Sequence, residues 1–178
     1  MVSFKKINNS VFYAADKIVT VSRHDIRFLK GKAQRTESKS ARLCAHRNVN
    51  DKIHEMIILH SKETYVRPHK HPHKTVSYHV IEGKADLILF NEGGKIMDVI
   101  KMGDYASGRT FFYRVFEPYY YMPLVTSDIL VFDETINGPY KKNGTIYAPW
   151  APEVNHSSEV KEFLKRLYRT MRSGEIVW

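Results

Sequence analysis

The strongest constraint on the fold is a series of short apolar segments, separated by turn signals, across residues 65–132. Residues 91–95, Asn-Glu-Gly-Gly-Lys, have apolar segments on both sides, which is typical of a β-hairpin. Gly83 predicts another turn, with residues 85–90 as the return strand, and Ser127 predicts a third. Because no helical segments are interleaved, the pattern predicts a β-sandwich or a β-barrel.

Two segments outside this region have helical features. Ser22, followed three residues later by Asp25, predicts the capped start of a short helix that ends near Gly31. Residues 155–173 carry apolar side chains at helical spacing, which predicts an amphipathic helix packed on the outside of the β-structure. The apolar positions are Val160, Phe163, Leu164, Leu167 and Met171.

Composition narrows the range of partners. The 178 residues carry a formal charge of +9, which suits nucleic acid, an acidic membrane surface or phosphorylated small molecules. The basic residues are scattered and match no usual nucleic-acid motif, so we expect no specific nucleic-acid partner. No apolar run approaches the length of a membrane span, and residues 1–10 lack the apolar core of a secretory signal. The single cysteine, Cys44, predicts a packed thiol in a protein of the cytoplasm.

A pair of histidines precedes the first of the central apolar segments. His69 and His71 are two residues apart, so in an extended chain both imidazoles point to the same face. Pro68 and Pro72 bracket the pair, and residues 76–81 have the composition of a strand. The spacing predicts that both rings share one pocket, where they would bind a metal ion or a substrate oxygen. A solvated histidine-rich loop is the alternative.

Residues 40–152 resemble the WbuC-type cupins, a family of cupin-fold metalloproteins associated with surface-polysaccharide gene clusters. The resemblance implies an all-β, cupin-type β-barrel (jelly roll), with residues 1–39 as a short N-terminal extension and residues 153–178 as a C-terminal α-helix on the barrel. The matching segments are Ser-Ala-Arg-Leu-Cys-Ala-His (40–46), Tyr-Val-Arg-Pro-His-Lys-His-Pro (65–72), Val-Ile-Glu-Gly (80–83), Gly-Pro-Tyr (138–140) and Ala-Pro-Trp-Ala-Pro (148–152).

The resemblance also implies a metal-binding mouth, although the chain departs from the family's ligand pattern. The Glu that follows the histidine pair in the family is replaced by Val76. The His of the second motif falls at Tyr121, counting back from Glu134. The candidate ligands for one divalent ion (Zn, Mn, Fe or Ni) are therefore His69, His71, Tyr121 and Glu134.

Three functions fit these residues. The first is a metal-free sugar epimerase or ketoisomerase, in which His69 or His71 is the general base and Tyr121 the acid. Such an enzyme would act on a nucleotide-linked or otherwise phosphorylated sugar, with Arg67 on the diphosphate and Tyr78 as a further substrate contact. The second is a metal-dependent oxygenase or isomerase. The third is a barrel that binds a sugar nucleotide without catalysis. The resemblance also implies a homodimer.

Overall fold

The computed structural model describes residues 2–173, which form ten strands, two α-helices and a short 3-10 turn at Tyr105–Ser107. The helices are α1, Arg23–Ala33, and α2, Ser157–Ser173. The strands are β1 (Phe4–Lys6), β2 (Val11–Ala14), β3 (Ser40–Cys44), β4 (Ile53–Ser61), β5 (His69–Lys70), β6 (Val76–Phe90), β7 (Ile96–Gly103), β8 (Phe112–Val115), β9 (Tyr120–Asn137) and β10 (Ile146–Tyr147). Within this part of the chain, neither helix is long and apolar enough to cross a bilayer.

Two long strands organise the β-structure. Strands β6 and β9 pair antiparallel from Val76 opposite Ile136 to Phe90 opposite Tyr120, with register shifts on either side of Gly83. On one side of these shifts the sheet order is β1-β2-β3-β4-β9-β6-β8, and on the other it is β7-β6-β9-β5-β10. The strands thus form two sheets that share β6 and β9, which is an open jelly roll.

The turns predicted at Gly83 and Ser127 are wrong, because both residues lie at bends inside continuous strands. Gly83 has φ +89°, and a Cβ there would lie 2.1 Å from the carbonyl oxygen of Ile129, so only glycine fits. The Ser127 hydroxyl accepts a hydrogen bond from the Lys84 amide at 2.8 Å and donates to the Ile129 carbonyl at 2.5 Å. These contacts hold the two bends against each other.

Apolar side chains form three clusters. The inner cluster fills the space between the two sheets and includes Val76, Leu87, Val125 and Phe132. The α1 cluster packs the first helix on the outer face of the first sheet and includes Phe12. The α2 cluster packs the second helix on the outer face of the second sheet; its core residues include Ile88, Phe90, Met122, Phe163 and Leu167. The predicted outer position of the amphipathic helix is therefore correct.

The N-terminal segment is built into the fold. Strand β2 pairs parallel with β3, and β1 extends the same sheet. Helix α1 begins after Ser22, and Ser22 and Asp25 form the predicted capping box. The helix does not end at Gly31 as predicted; it runs to Ala33, which is buried with Leu29 beneath the helix. Residues 174–178 of the predicted C-terminal helical segment lie outside the described residues.

Candidate functional site

His69, His71 and Tyr121, called the His–Tyr group below, come together on the inner face of the second sheet. Strand β5 pairs with β9 so that His69 is the Cα partner of Tyr121. The ring centroids of these two residues are 4.7 Å apart, and those of His69 and His71 are 5.1 Å apart. Strand β10 covers the other side of β5, where Tyr147 pairs with His69. The two imidazoles and the phenol therefore share one place.

Backbone contacts fix the tautomer of both histidines. The Nδ1 atom of His69 lies 2.9 Å from the Arg67 carbonyl oxygen, and that of His71 lies 3.1 Å from the Gly144 carbonyl oxygen. A carbonyl only accepts, so Nδ1 carries the proton in each ring. Burial lowers the pKa of His69 to about 4 and also lowers the pKa of His71. Both rings are therefore neutral at pH 7, and each Nε2 has a free lone pair.

Tyr121, in contrast to the unprotonated Nε2 atoms of the two histidines, keeps its proton. Its side chain is 1% exposed, and its hydroxyl makes no hydrogen bond of good geometry among residues 2–173, although it contacts the Tyr78 hydroxyl. Burial, followed by the charge of Glu134, raises the pKa of Tyr121 well above its ordinary value, and the contact with the Tyr78 hydroxyl opposes this shift slightly. The phenol therefore keeps its proton at neutral pH and is available as a donor.

Glu134 and Tyr78 face the same interior from the first sheet, where they are Cα partners on β9 and β6. Burial raises the pKa of Glu134 to about 7, while the positive charge of Arg42 opposes this shift. Burial and the Glu134 charge raise the pKa of Tyr78 well above its ordinary value. The interior thus contains a carboxyl group that titrates near neutrality.

The predicted metal ligands fit a divalent ion poorly. In the described part of the chain, no three or more His, Cys, Asp or Glu side chains are grouped so that they could hold one. Val76, at the position where the resemblance places a Glu, is buried in the inner cluster. His69 and His71 are in the neutral form that binds metals, but Tyr121 keeps its proton and Glu134 does not complete a group of three with them, so the site falls short of the three or more protein ligands typical of Zn²⁺ and similar ions. We therefore derive no step through a metal.

Arg67 is engaged away from the His–Tyr group. Its Nη2 donates to the Ala148 carbonyl oxygen at 3.1 Å, and Nη1 lies 3.7 Å from the Glu153 carboxylate. Its guanidinium also lies over the Tyr147 ring, 5.5 Å from the centroid. These contacts tie the segment before β5 to residues 147–153. The predicted role of Arg67 in substrate binding remains a prediction.

Our sequence reasoning missed three polar residues of the interior. Arg42 lies on β3 in alternation with buried Ala41 and Leu43, so it shares the inner face with Cys44. The alternation of this predicted strand was the signal that could have found it. His60 on β4 has its Nδ1 2.9 Å from the Ser40 hydroxyl. Tyr113 on β8 has a buried hydroxyl without a partner among the described residues.

Comparison with known sequences gives one family match. Residues 21–102 match a family described as a domain of unknown function, DUF6016, and this match includes the histidine pair. No curated protein matches the sequence significantly.

Among solved structures, CapF in complex with 3-isopropenyl-tropolone aligns with TM-score 0.51 and 12% identity over 63% of this chain and 32% of CapF. Protein SO0799 from Shewanella oneidensis aligns with TM-score 0.50 and 10% identity over 60% of this chain and 72% of its own length. The cupin domain of Cnp3 from Schizosaccharomyces pombe has TM-score 0.44 and 11% identity over 57% and 66% of the two chains. The strand pairing and the alignments with CapF and protein SO0799 confirm the predicted all-β, cupin-type jelly roll with a C-terminal helix, as an open and not a closed barrel.

Proposed function

We propose that this protein is a metal-free epimerase or ketoisomerase that moves a proton at a carbon next to a carbonyl group of a sugar. The observation that carries the proposal is the placement of the buried, protonated Tyr121 phenol beside two neutral imidazoles. The base is already deprotonated and the acid already protonated at pH 7, which is the starting state that such a reaction needs.

The geometry supports different roles for the two histidines. His69 lies directly against Tyr121, whereas the centroid of His71 is 6.2 Å from that of Tyr121. His71 is also less buried than His69. We therefore assign His71 as the general base, with a substrate carbon between it and Tyr121, and His69 as a residue that positions both rings.

The reaction conserves atoms and charge. The His71 Nε2 takes the proton from the carbon next to the carbonyl group, and the C–H electron pair forms the C=C bond of an enolate. In an epimerase, Tyr121 gives its proton to the opposite face of the same carbon, and the His71 imidazolium then gives its proton to the phenolate, which restores both groups. In a ketoisomerase acting on an α-hydroxy ketone, Tyr121 gives its proton to the former carbonyl oxygen and takes the proton of the adjacent hydroxyl group. The His71 imidazolium then gives its proton to the former carbonyl carbon, so both side chains end as they began.

The substrate class and the pathway are inferred from the family resemblance and from the net charge. The resemblance to WbuC-type cupins favours a nucleotide-linked sugar of surface-polysaccharide biosynthesis, and the charge of +9 favours a phosphorylated ligand. A homodimer and a cytoplasmic location belong to the same proposal.

The test is solvent exchange of the substrate proton. Wild-type protein in deuterium oxide should incorporate deuterium next to the carbonyl group of a nucleotide-linked 4-keto sugar, measured by proton NMR. Tyr121→Phe should slow the reaction about 10²- to 10⁴-fold, since it removes the acid and little volume. Tyr120→Phe is the matched control, because the neighbouring side chain packs in the α2 cluster. Equal rates for Tyr121→Phe and wild type would remove Tyr121 from the mechanism.

A metal-dependent cupin is the second candidate, and one observation favours it. The two histidines both carry the Nδ1 proton, and this is the tautomer that leaves Nε2 free to bind a metal. Elemental analysis of protein purified without added metal decides between the two functions. Stoichiometric Zn, Mn, Fe or Ni that is lost in a His69→Gln, His71→Gln double variant would favour the metal enzyme.

A further inference from the structure

Arg42 lies on the inner face of a sheet and is still exposed to solvent. It lies on β3 between Val11 of β2 and Ile58 of β4, with its side chain on the inner face of the first sheet. The residue is nevertheless exposed. Among residues 2–173, its guanidinium makes no ion pair, in contrast to that of Arg67, which lies near Glu153.

The charge of Arg42 reaches into the candidate site. Burial lowers the pKa of His60 to about 4, and the Arg42 charge is the next contribution; His69 also acts on His60. At Glu134 the Arg42 charge works against the effect of burial. Arg42, His60 and Glu134 are thus electrostatic neighbours, and His60 connects this group with the His–Tyr group. An exposed cation therefore lies at the edge of the same interior that holds the proposed acid and base.

We propose that Arg42 binds the anionic group of the substrate, either a phosphate or a carboxylate, at the entrance to this interior. The inference rests on the proposed function, because it supplies the substrate's second point of attachment. A free guanidinium presents two parallel N–H donors that match two oxygens of either anion. The assignment replaces Arg67, whose Nη2 already donates to Ala148 and whose charge lies beside Glu153.

The phosphate is the preferred anion, for reasons of charge. A diphosphate brings more than one negative charge to a protein whose net charge is +9. In a nucleotide-linked sugar, the diphosphate would lie at the exposed end of the site and the neutral sugar at the buried end. Binding would then not require a second ion to be desolvated in the interior. A carboxylate has the same contact geometry but only one charge.

Isothermal titration calorimetry with inorganic pyrophosphate, and separately with malonate, tests the proposal. Wild-type protein should bind pyrophosphate. Arg42→Gln should raise the Kd for pyrophosphate about 10- to 100-fold, as expected for loss of hydrogen bonds to a charged group. Arg42→Lys should fall between the two, because lysine keeps the charge without the paired donors. Tighter binding of malonate than of pyrophosphate, with the same dependence on Arg42, would assign the site to a carboxylate.

The control is Arg114→Gln, which removes an equal charge from an exposed position on β8 and should leave the Kd unchanged. Thermal unfolding verifies that each variant is folded. No binding of either anion by wild type, an unchanged Kd in Arg42→Gln, or loss of binding in Arg67→Gln alone would overturn the assignment.

The two proposals fail separately. Pyrophosphate binding does not depend on turnover, so the absence of solvent exchange in wild type, combined with Arg42-dependent binding, would leave a binding protein that uses Arg42. Conversely, Tyr121-dependent exchange with Arg42-independent binding would keep the enzyme and discard this anion site.

Discussion

The inner cluster and the two outer clusters are similarly buried but differ in chemistry. Beneath α2, the core side chains are almost entirely apolar or aromatic, and the Tyr65 hydroxyl at their margin donates to the Pro152 carbonyl oxygen. Between the sheets, the buried Tyr113 hydroxyl has no partner among the described residues, the buried Tyr121 hydroxyl lies beside that of Tyr78, and Glu134 has a raised pKa. Unpaired buried polar groups destabilise a fold. Apolar burial in all three clusters stabilises the fold, but the inner face also carries polar groups that a ligand would satisfy.

The largest expected effect tests the outer half of this comparison. Phe163→Ala should lower the free energy of unfolding by about 3–5 kcal/mol, because the ring is 8% exposed and packs between Tyr65 and Trp150. Urea unfolding measures the change. Tyr168→Ala, on the exposed side of the same helix, should change the stability by about 0.5 kcal/mol or less. Similar values for both variants would mean that α2 adds little to the stability of the fold.

The next effect tests the inner face through pH. The raised pKa of Glu134 means that the folded protein retains a proton that the unfolded chain releases between pH 4.5 and about 7. The stability due to this group is therefore complete below pH 4.5 and is lost as pH rises through 7. Glu134→Gln should match wild type near pH 4 and be more stable by about 3 kcal/mol at pH 8.

Denaturant unfolding at both pH values measures this difference. Glu55→Gln, exposed on neighbouring β4, is the control and should differ from wild type by no more than about 0.5 kcal/mol. A Glu134→Gln variant whose advantage does not grow with pH would show that the carboxyl group is better solvated than the inner face implies.

The smallest effect compares one hydroxyl from each region. Tyr113→Phe removes an unpartnered hydroxyl from the inner cluster and should stabilise the protein by about 1 kcal/mol. Tyr65→Phe removes a hydroxyl that donates to Pro152 at 3.1 Å, and should destabilise it by about 1 kcal/mol. Thermal unfolding of the pair gives both signs in one experiment. Equal signs would remove the distinction between the regions.

Local patterns predicted the parts of the fold that depend on neighbouring residues. The capping box at Ser22 and the apolar stripe of α2 are both present as predicted. At Gly83 the same reasoning failed, because glycine marks both a turn and a bend. The difference depends on Ile129, 46 positions away in the chain, which pairs at the bend and leaves no space for a Cβ.

In the candidate site, too, the features set by neighbouring residues were predicted and most of those set by distant strands were not. The two-residue spacing of His69 and His71 predicts their shared position without knowledge of distant strands. Tyr121 was found only through the family resemblance. Arg42 was missed because its importance depends on the strands that face β3, and Arg67 was favoured because it is near the histidines in sequence. Closeness along the chain was a poor guide to which arginine has a charge without an ion pair among residues 2–173.

The bend at Ser127 has a further consequence for how this chain tolerates insertions and deletions. Tyr121 and Glu134 lie on the same strand, one before the bend and one after it. Because side chains alternate in a strand, one residue added or lost between them would turn one of the two away from the interior. Residues 91–95, which join β6 to β7 at the surface, carry no such coupling. The length of the segment from Tyr121 to Glu134 is therefore as tightly constrained as the identity of the residues at its ends.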